Sequence, residues 1–218
     1  DIRDRSSLDA ATAKMAETFG GIDVAIANAG FGVAGPFDKL TTDDFRRQFE
    51  TNVFGTLDTI YAVLPYLLQT KGHIALVASV LGRLATPSSA PYCSSKFALC
   101  GLAESLQYDL ASKGVTVTCI EPGIVSSEIR SVDNRGVFHE KHKDPAPAWL
   151  VVPTEKAARE IVHYLHKKKF EAVITGHGRF LVWANRHFTW LLRGIALHFA
   201  RKKSDPMRRG KKPQVGDP

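Results

Sequence analysis

Three short, almost wholly apolar runs decide what this chain can fold into. Residues 22–27, 73–78 and 115–120 alternate with two longer segments of helical period. A run this short and this apolar suits a parallel strand covered on both faces. Between the first two runs, Thr41 or Thr42 ahead of Asp43-Asp44 opens a helix predicted to reach about Leu68, with Phe45, Phe49, Val53, Leu57, Ile60 and Leu64 turned inward and Asn52 beside that stripe. Between the second and third, a helix starts near Tyr92 and presents Phe97, Leu99, Leu102, Ala103, Leu106 and Leu110 to the core until Gly114 stops it. Helical crossovers of this length join parallel strands with a right-handed turn, so the chain is predicted to be α/β with a parallel sheet. The carboxyl ends of the strands then gather on one edge, where open sheets hold their ligands. Asn28, Ser79 and Pro122-Gly123 all fall on that edge.

The flanks extend the pattern. Ser6 or Ser7 is predicted to cap a first helix carrying Leu8, Ala11, Met15 and Phe19 up to Gly20-Gly21. Residues 126–152 lose all period, with Pro145 and Pro147 among charges, and a loop of that length reads as a lid or substrate cover. Thr154-Glu155 begins another helix to about Lys168, and residues 172–175 form a last strand.

With 218 residues, 44% hydrophobic and 23% charged, the chain can bury one well-formed α/β core. Its net charge of +7 would suggest a polyanion partner if it covered a face, but seven basic residues crowd into 201–212, interleaved with Pro206 and Gly210. No aromatic residue sits among them to stack on bases, which argues against specific nucleic-acid recognition. Cys93, Cys100 and Cys119 have no metal-ligand spacing, so no metal site is expected, and they read as free thiols of a reducing compartment, implying a cytoplasmic protein. The charged start, Asp1-Ile2-Arg3-Asp4-Arg5, lacks the apolar stretch of a signal peptide and lacks an initiator Met, as a piece of a longer chain would.

Chemistry enters with Tyr92-Cys93-Ser94-Ser95-Lys96. Residues four apart share a helix face, which turns the Tyr92 phenol and the Lys96 ammonium into the same space. A free phenol titrates near pH ~10, and a neighbouring cation draws it toward use as an acid or base at neutral pH. The same spacing also serves a plain surface contact; likewise Ser79 could cap a strand end, Asn52 could fill a helix kink, and Pro122-Gly123 could be an ordinary turn.

Taken in order, Asn28-Ala29-Gly30 after a strand, Asn52 in Asn-Val-Phe-Gly, Ser79, Tyr92-x-x-x-Lys96 thirteen residues later, and Pro122-Gly123-Ile124-Val125-Ser126-Ser127 resemble the short-chain dehydrogenase/reductase family. The resemblance covers roughly residues 1–128 and implies a Rossmann-like, doubly wound sheet binding NAD or NADP, with NADP slightly favoured. By that likeness Tyr92 exchanges a proton with the substrate oxygen, Lys96 lowers the Tyr92 pKa and binds the nicotinamide ribose, Ser79 hydrogen-bonds the reacting oxygen, and Asn52 holds a relay water. Asn28, Ala29, Gly30, Pro122, Gly123, Val125 and Ser127 would line the cofactor, joined by Asp1 at the adenine. The family pattern opens with further strands and a glycine-rich turn of the Thr-Gly-x-x-x-Gly-x-Gly kind, and this sequence contains none. Without the turn that cradles a pyrophosphate, weak dinucleotide binding is expected, and the strand of Val24 is expected to have an open edge prone to pairing. The rival to an alcohol/carbonyl oxidoreductase is therefore an inactive relative acting by association. Epimerases and dehydratases that share the Tyr/Lys pair are a third reading, though their larger C-terminal domain has no room here.

Residues 1–176 thus read as a partial dehydrogenase domain, 177–200 as one amphipathic helix and 201–218 as a basic tail. Arg179, Arg186 and Arg193 recur every seven residues among Phe180, Trp183, Phe188 and Trp190. The longest unbroken apolar run, residues 180–184, is far short of the ~20 needed to span a bilayer. Residues 178–212 suit an interfacial helix on an anionic membrane, or alternatively a cover for the cleft or a subunit contact in a homo-oligomer. Either use points to an apolar, lipid-like or steroid-like alcohol or ketone as substrate.

Overall fold

All the apolar runs become strands of one sheet. The computed structural model describes residues 1–140 and 146–204. Within it β1 (Val24–Ala27), β2 (His73–Val77), β3 (Thr116–Pro122) and β4 (Glu171–Ile174) pair in sequence order, all parallel. Register sets Ala27 beside Leu76 and Val77 beside Ile120, so the chain leaves β1, β2 and β3 on the same edge.

Alternation along the strands sorts two cores. Ile74, Leu76, Val117 and Cys119 face Ile60, Val63 and Leu67 of α3 (Gly55–Thr70) and Leu99, Cys100 and Ala103 of α4 (Ala90–Ala111). Ala75, Ile120, Ala172 and Ile174 face the opposite way, onto Ala157 and Ile161 of α5 (Thr154–His166). Each fully buried Leu or Ile contributes roughly 1.5–3 kcal/mol, so these two layers carry the fold. Helices thus lie on both faces of a parallel sheet, the predicted class.

Three local expectations change. First, α1 (Arg5–Phe19) is capped by Asp4, whose carboxylate accepts the Ser6 and Ser7 N–H groups at 3.0 and 3.2 Å, so the serines receive the cap instead of supplying it. Met15 and Phe19, two of its helically spaced apolar positions, are 51% and 76% exposed, because α1 packs on α3 rather than on the sheet. Second, the predicted 41–68 helix is α2 (Thr42–Phe49), a π-helical turn (Glu50–Phe54) and α3. The wider turn shifts the inward line, so Gln48, Asn52 and Thr56 are buried while Phe45, Phe49, Val53, Leu57 and Leu64 are only partly covered. Third, β1 covers one face only: Ala25 and Ala27 are buried, but Val24 and Ile26 are 52% and 46% exposed. As expected, β1 also ends the sheet among the described residues. On α4, Phe97 faces out, and Cys93, Lys96 and Cys100 take the inward positions.

The single helix expected over 177–200 is two. α6 (Gly176–His187) and α7 (Thr189–Ser204) break at Phe188, and the arginine stripe breaks with them. Arg179 pairs with Glu160 at 3.1 Å and Arg186 with Glu171 at 3.4 Å, which spends those two charges on the sheet domain. No helix among the described residues is long and apolar enough to cross a membrane. The expected loop over 126–152 holds short 3-10 turns at Glu128–Ser131 and Ala148–Leu150; residues 141–145, with Pro145, and the tail beyond Ser204 lie outside the described residues.

Candidate active site at the carboxyl edge of the sheet

α4 delivers the central pair as the four-residue spacing requires: Lys96 Nζ lies over the Tyr92 ring, 5.6 Å from its centroid. Lys96 is 4% exposed and donates to the Val77 carbonyl at 2.8 Å, at the end of β2. Burial without a carboxylate partner pushes its ammonium down to about 8. The Tyr92 phenol moves the other way. Burial raises it, while a hydrogen bond with the Ser79 hydroxyl and the more distant charge of Arg130 pull against that rise. The expected lowering of Tyr92 by Lys96 is therefore not what this geometry does, because the ammonium is bound to a backbone carbonyl and desolvation of a phenolate outweighs the rest. Tyr92 rests as a protonated phenol.

Ser79 lies two residues past the end of β2. Its Oγ accepts the Leu81 N–H at 3.1 Å, capping the short turn Val80–Gly82, and donates to the Pro122 carbonyl at 3.4 Å. One hydroxyl therefore reaches both Tyr92 and the end of β3. Close behind, Glu121 is wholly buried and Arg83 binds its Oε1 at 2.6 Å. Cys100, Cys119 and Glu121 are the group with metal-ligand chemistry among the described residues, their ligand atoms within 4.8 Å of one another. The Arg83 guanidinium already neutralises the carboxylate, and the Cys119 thiol is pushed far up by its contact with Cys100 and by burial. The cluster is built as an ion pair beside two buried thiols, not as a cation site.

Asn52 is wholly buried in the π turn. Its Oδ1 accepts the Phe31 N–H, and its Nδ2 donates to the Phe31 carbonyl and to Ser95 Oγ, at 3.1, 3.1 and 3.2 Å. Both amide hydrogens are spent on protein, so in this structure the side chain pins the loop after β1. Gln48, one helical turn earlier, does the same: Oε1 accepts the Val33 N–H at 2.6 Å and Nε2 donates to the Phe31 carbonyl at 2.8 Å. Sequence reasoning missed Gln48, although its four-residue spacing from Asn52 on a helix facing the site was a usable signal. Gly30 fits this clamp because a Cβ there would stand 3.0 Å from Asn52 Oδ1.

Of the other candidates, Asn28, Ala29 and Gly30 are exposed at the end of β1, and Pro122, Gly123 and Val125 are partly covered at the end of β3 with Ser127 exposed. Asp1 is exposed, its carboxylate held by Arg3 at 2.6 Å. Across the mouth, the Asn134 amide pairs with both backbone groups of Ala34, at 3.0 and 2.8 Å, tying the expected substrate loop to the loop after β1.

Comparison with known proteins agrees with this geometry. The family model for short chain dehydrogenases matches residues 1–136. An uncharacterized oxidoreductase of Schizosaccharomyces pombe is 34% identical over 143 residues, 65% of this chain and 61% of the relative. Human retinol dehydrogenase 5 is 37% identical over 138 residues, 62% of this chain and 43% of that protein. The chain thus spans about half the length of the curated relatives it matches. A short chain dehydrogenase from Burkholderia cenocepacia in complex with NADP superposes with a TM-score of 0.76 at 25% identity, over 90% of this chain and 76% of that one. One from Burkholderia phymatum in complex with NAD reaches 0.74 at 21% identity, over 88% and 75%, a likeness of fold alone. Parallel order, site order and family match agree, and the chain belongs to the short-chain dehydrogenase family.

Proposed function

We propose that this chain carries the catalytic residues of a nicotinamide-dependent oxidoreductase that interconverts an alcohol and a carbonyl. The observation that carries the proposal is the convergence of the Tyr92 phenol, the Ser79 hydroxyl and the Lys96 ammonium at the carboxyl ends of β2 and β3. The residues present fit the nicotinamide half of a dinucleotide: Lys96 and Tyr92 toward the ribose, and Pro122, Gly123, Val125 and Ser127 toward the carboxamide, with Asn28, Ala29 and Gly30 leaving backbone exposed beside them. When bound, the nicotinamide supplies or accepts the hydride. The cofactor is NADP or NAD, with NADP preferred, and the structural neighbour in complex with NADP supports that reading.

Tyr92, held protonated by burial, is set to donate to a carbonyl oxygen. Ser79 donates a hydrogen bond to the same oxygen, releasing its weak bond to Pro122. Lys96, charged below about pH 8, holds positive potential beneath the ring, and Asn52 with Gln48 keeps the neighbouring loop in register.

The substrate in this reading is an apolar alcohol or ketone. An open, mostly apolar depression of about 510 Å³ is lined by Ser126, Ala146, Ala148, Val151 and Pro153, and a relative is named a retinol dehydrogenase. Residues 126–152 serve as substrate cover. The pair α6–α7 and the tail to Lys212 supply peripheral membrane contact for a cytoplasmic protein, with Phe180 63% and Trp190 74% exposed. Exposed Phe54, Tyr61 and Leu68, seven apart on one helix side, suit a homo-oligomer contact.

The test is NADPH and NADH oxidation against a ladder of ketones of rising apolarity, with and without anionic vesicles, for the chain and Tyr92→Phe. The expected result is a loss on the order of 10²–10⁴-fold in Tyr92→Phe at unchanged Tm, as for removal of a general acid. Equal turnover by the variant would sink the proposal.

A further inference from the structure

β4 passes through Thr175 into Gly176-His177-Gly178, the first turn of α6. Thr175 has φ of 88°, a conformation that β-branched residues avoid, and is 1% exposed. The surroundings enforce it. Glu160 accepts the Thr175 N–H at 3.3 Å, the Thr175 carbonyl accepts the Arg179 N–H at 3.1 Å, and Thr175 Oγ1 accepts the Gly178 N–H at 3.2 Å. Glu160 is itself held by Arg179. This bend carries His177 back across the end of β3, where its Nε2 accepts the Ile124 N–H at 2.8 Å and lies 3.2 Å from Thr175 Oγ1. Gly123 leaves the room: a Cβ there would stand 2.4 Å from Thr175 Oγ1 and 2.5 Å from His177 Nε2.

The peptide groups around this contact are nearly all committed. Gly123 N–H goes to Ile174, Ile124 N–H to His177 and Ser126 N–H to Val152, while the Ile124 carbonyl accepts from Val152. The Val125 N–H, between them, has no partner among the described residues. An amide held on both sides and left without a protein partner is available to donate to a ligand carbonyl.

We infer that His177 is a positioning residue, holding the Ile124 peptide so that the Val125 N–H is presented to a planar carboxamide such as that of nicotinamide. The ligand half of this inference rests on the oxidoreductase reading; the loop half does not. A neutral ring is needed, since only an unprotonated Nε2 accepts an N–H, and burial lowers the His177 pKa.

The experiment compares the chain with His177→Leu and His177→Gln, the latter keeping an acceptor at the reach of Nε2. Amide exchange of a peptide spanning 122–126, read by mass spectrometry without cofactor, should rise about tenfold in His177→Leu and stay within about threefold of the parent in His177→Gln, the scale of one lost hydrogen bond. Fluorescence titration of NADPH and NADH should show about tenfold weaker binding in His177→Leu, with ADP-ribose, which has no carboxamide, unaffected. Unchanged exchange in His177→Leu overturns the inference, as does equal weakening of ADP-ribose. If the parent binds neither dinucleotide, the oxidoreductase reading and the carboxamide role fall together, and the exchange comparison still decides whether His177 holds the loop.

Discussion

Replacing Lys96 with Met should make this protein more stable and remove a pH dependence. Lys96 is 4% exposed, has no carboxylate partner, and titrates at about 8 against an ordinary 10.5. The difference of 2.5 units corresponds to roughly 3 kcal/mol at about 1.4 kcal/mol per unit, the cost of carrying the buried charge. Loss of the Nζ bond to the Val77 carbonyl returns about 1 kcal/mol, leaving a net gain of about 2 kcal/mol in Lys96→Met. The sign follows from proton binding. Between pH 8 and 10.5 the unfolded chain holds a proton that the folded chain has released, so parental stability rises with pH across that window; below 8 both forms are charged and the full cost is felt. Urea unfolding at pH 7 and pH 9.5 measures both effects, and a Tm rise of roughly 4–8 °C at pH 7 is the calorimetric equivalent for a chain of this size. A Lys96→Met variant less stable than the parent at pH 7, or a parent whose stability is flat from pH 8 to 10, would refute the assignment of Lys96 as a strained buried cation. A residue that destabilises the fold while retaining its charge beside Tyr92 is what a site residue looks like energetically.

Two other substitutions probe the groups behind the site. Gln48→Met leaves the Val33 N–H without its acceptor and should cost about 2 kcal/mol by urea titration, with faster amide exchange confined to residues 31–33; a cost below about 0.5 kcal/mol would show that the clamp is dispensable. Arg83→Met strips the partner from wholly buried Glu121, and a loss of about 3–5 kcal/mol is expected at neutral pH. Burial already raises the Glu121 pKa, so the folded variant takes up a proton that the unfolded chain lacks above pH 4.5; the loss should shrink as pH falls toward that value, and a pH-independent loss would point to packing instead.

The alternation of apolar runs with helical period determined the sheet, its parallel sense and its functional edge, because crossover length and strand handedness leave almost no other topology. The same logic brought Tyr92, Lys96 and Ser79 together: four residues on a helix and two residues past a strand are local distances. What the sequence by itself could not decide depended on contacts between distant segments. The π turn redirected the inward line from Phe45, Phe49 and Val53 to Gln48 and Asn52, since an extra residue in a helix leaves no mark in a periodicity count. The opposite pKa directions of Tyr92 and Lys96 came from burial beneath β2 and β3, which a spacing of four cannot report. The break at Phe188 separates Arg193 from Arg179 and Arg186, and packing of α6 on the sheet domain pairs those two with Glu160 and Glu171. His177 reached the end of β3 only through an unfavourable backbone conformation at Thr175, and a sequence records the residue but not the surroundings that hold it there.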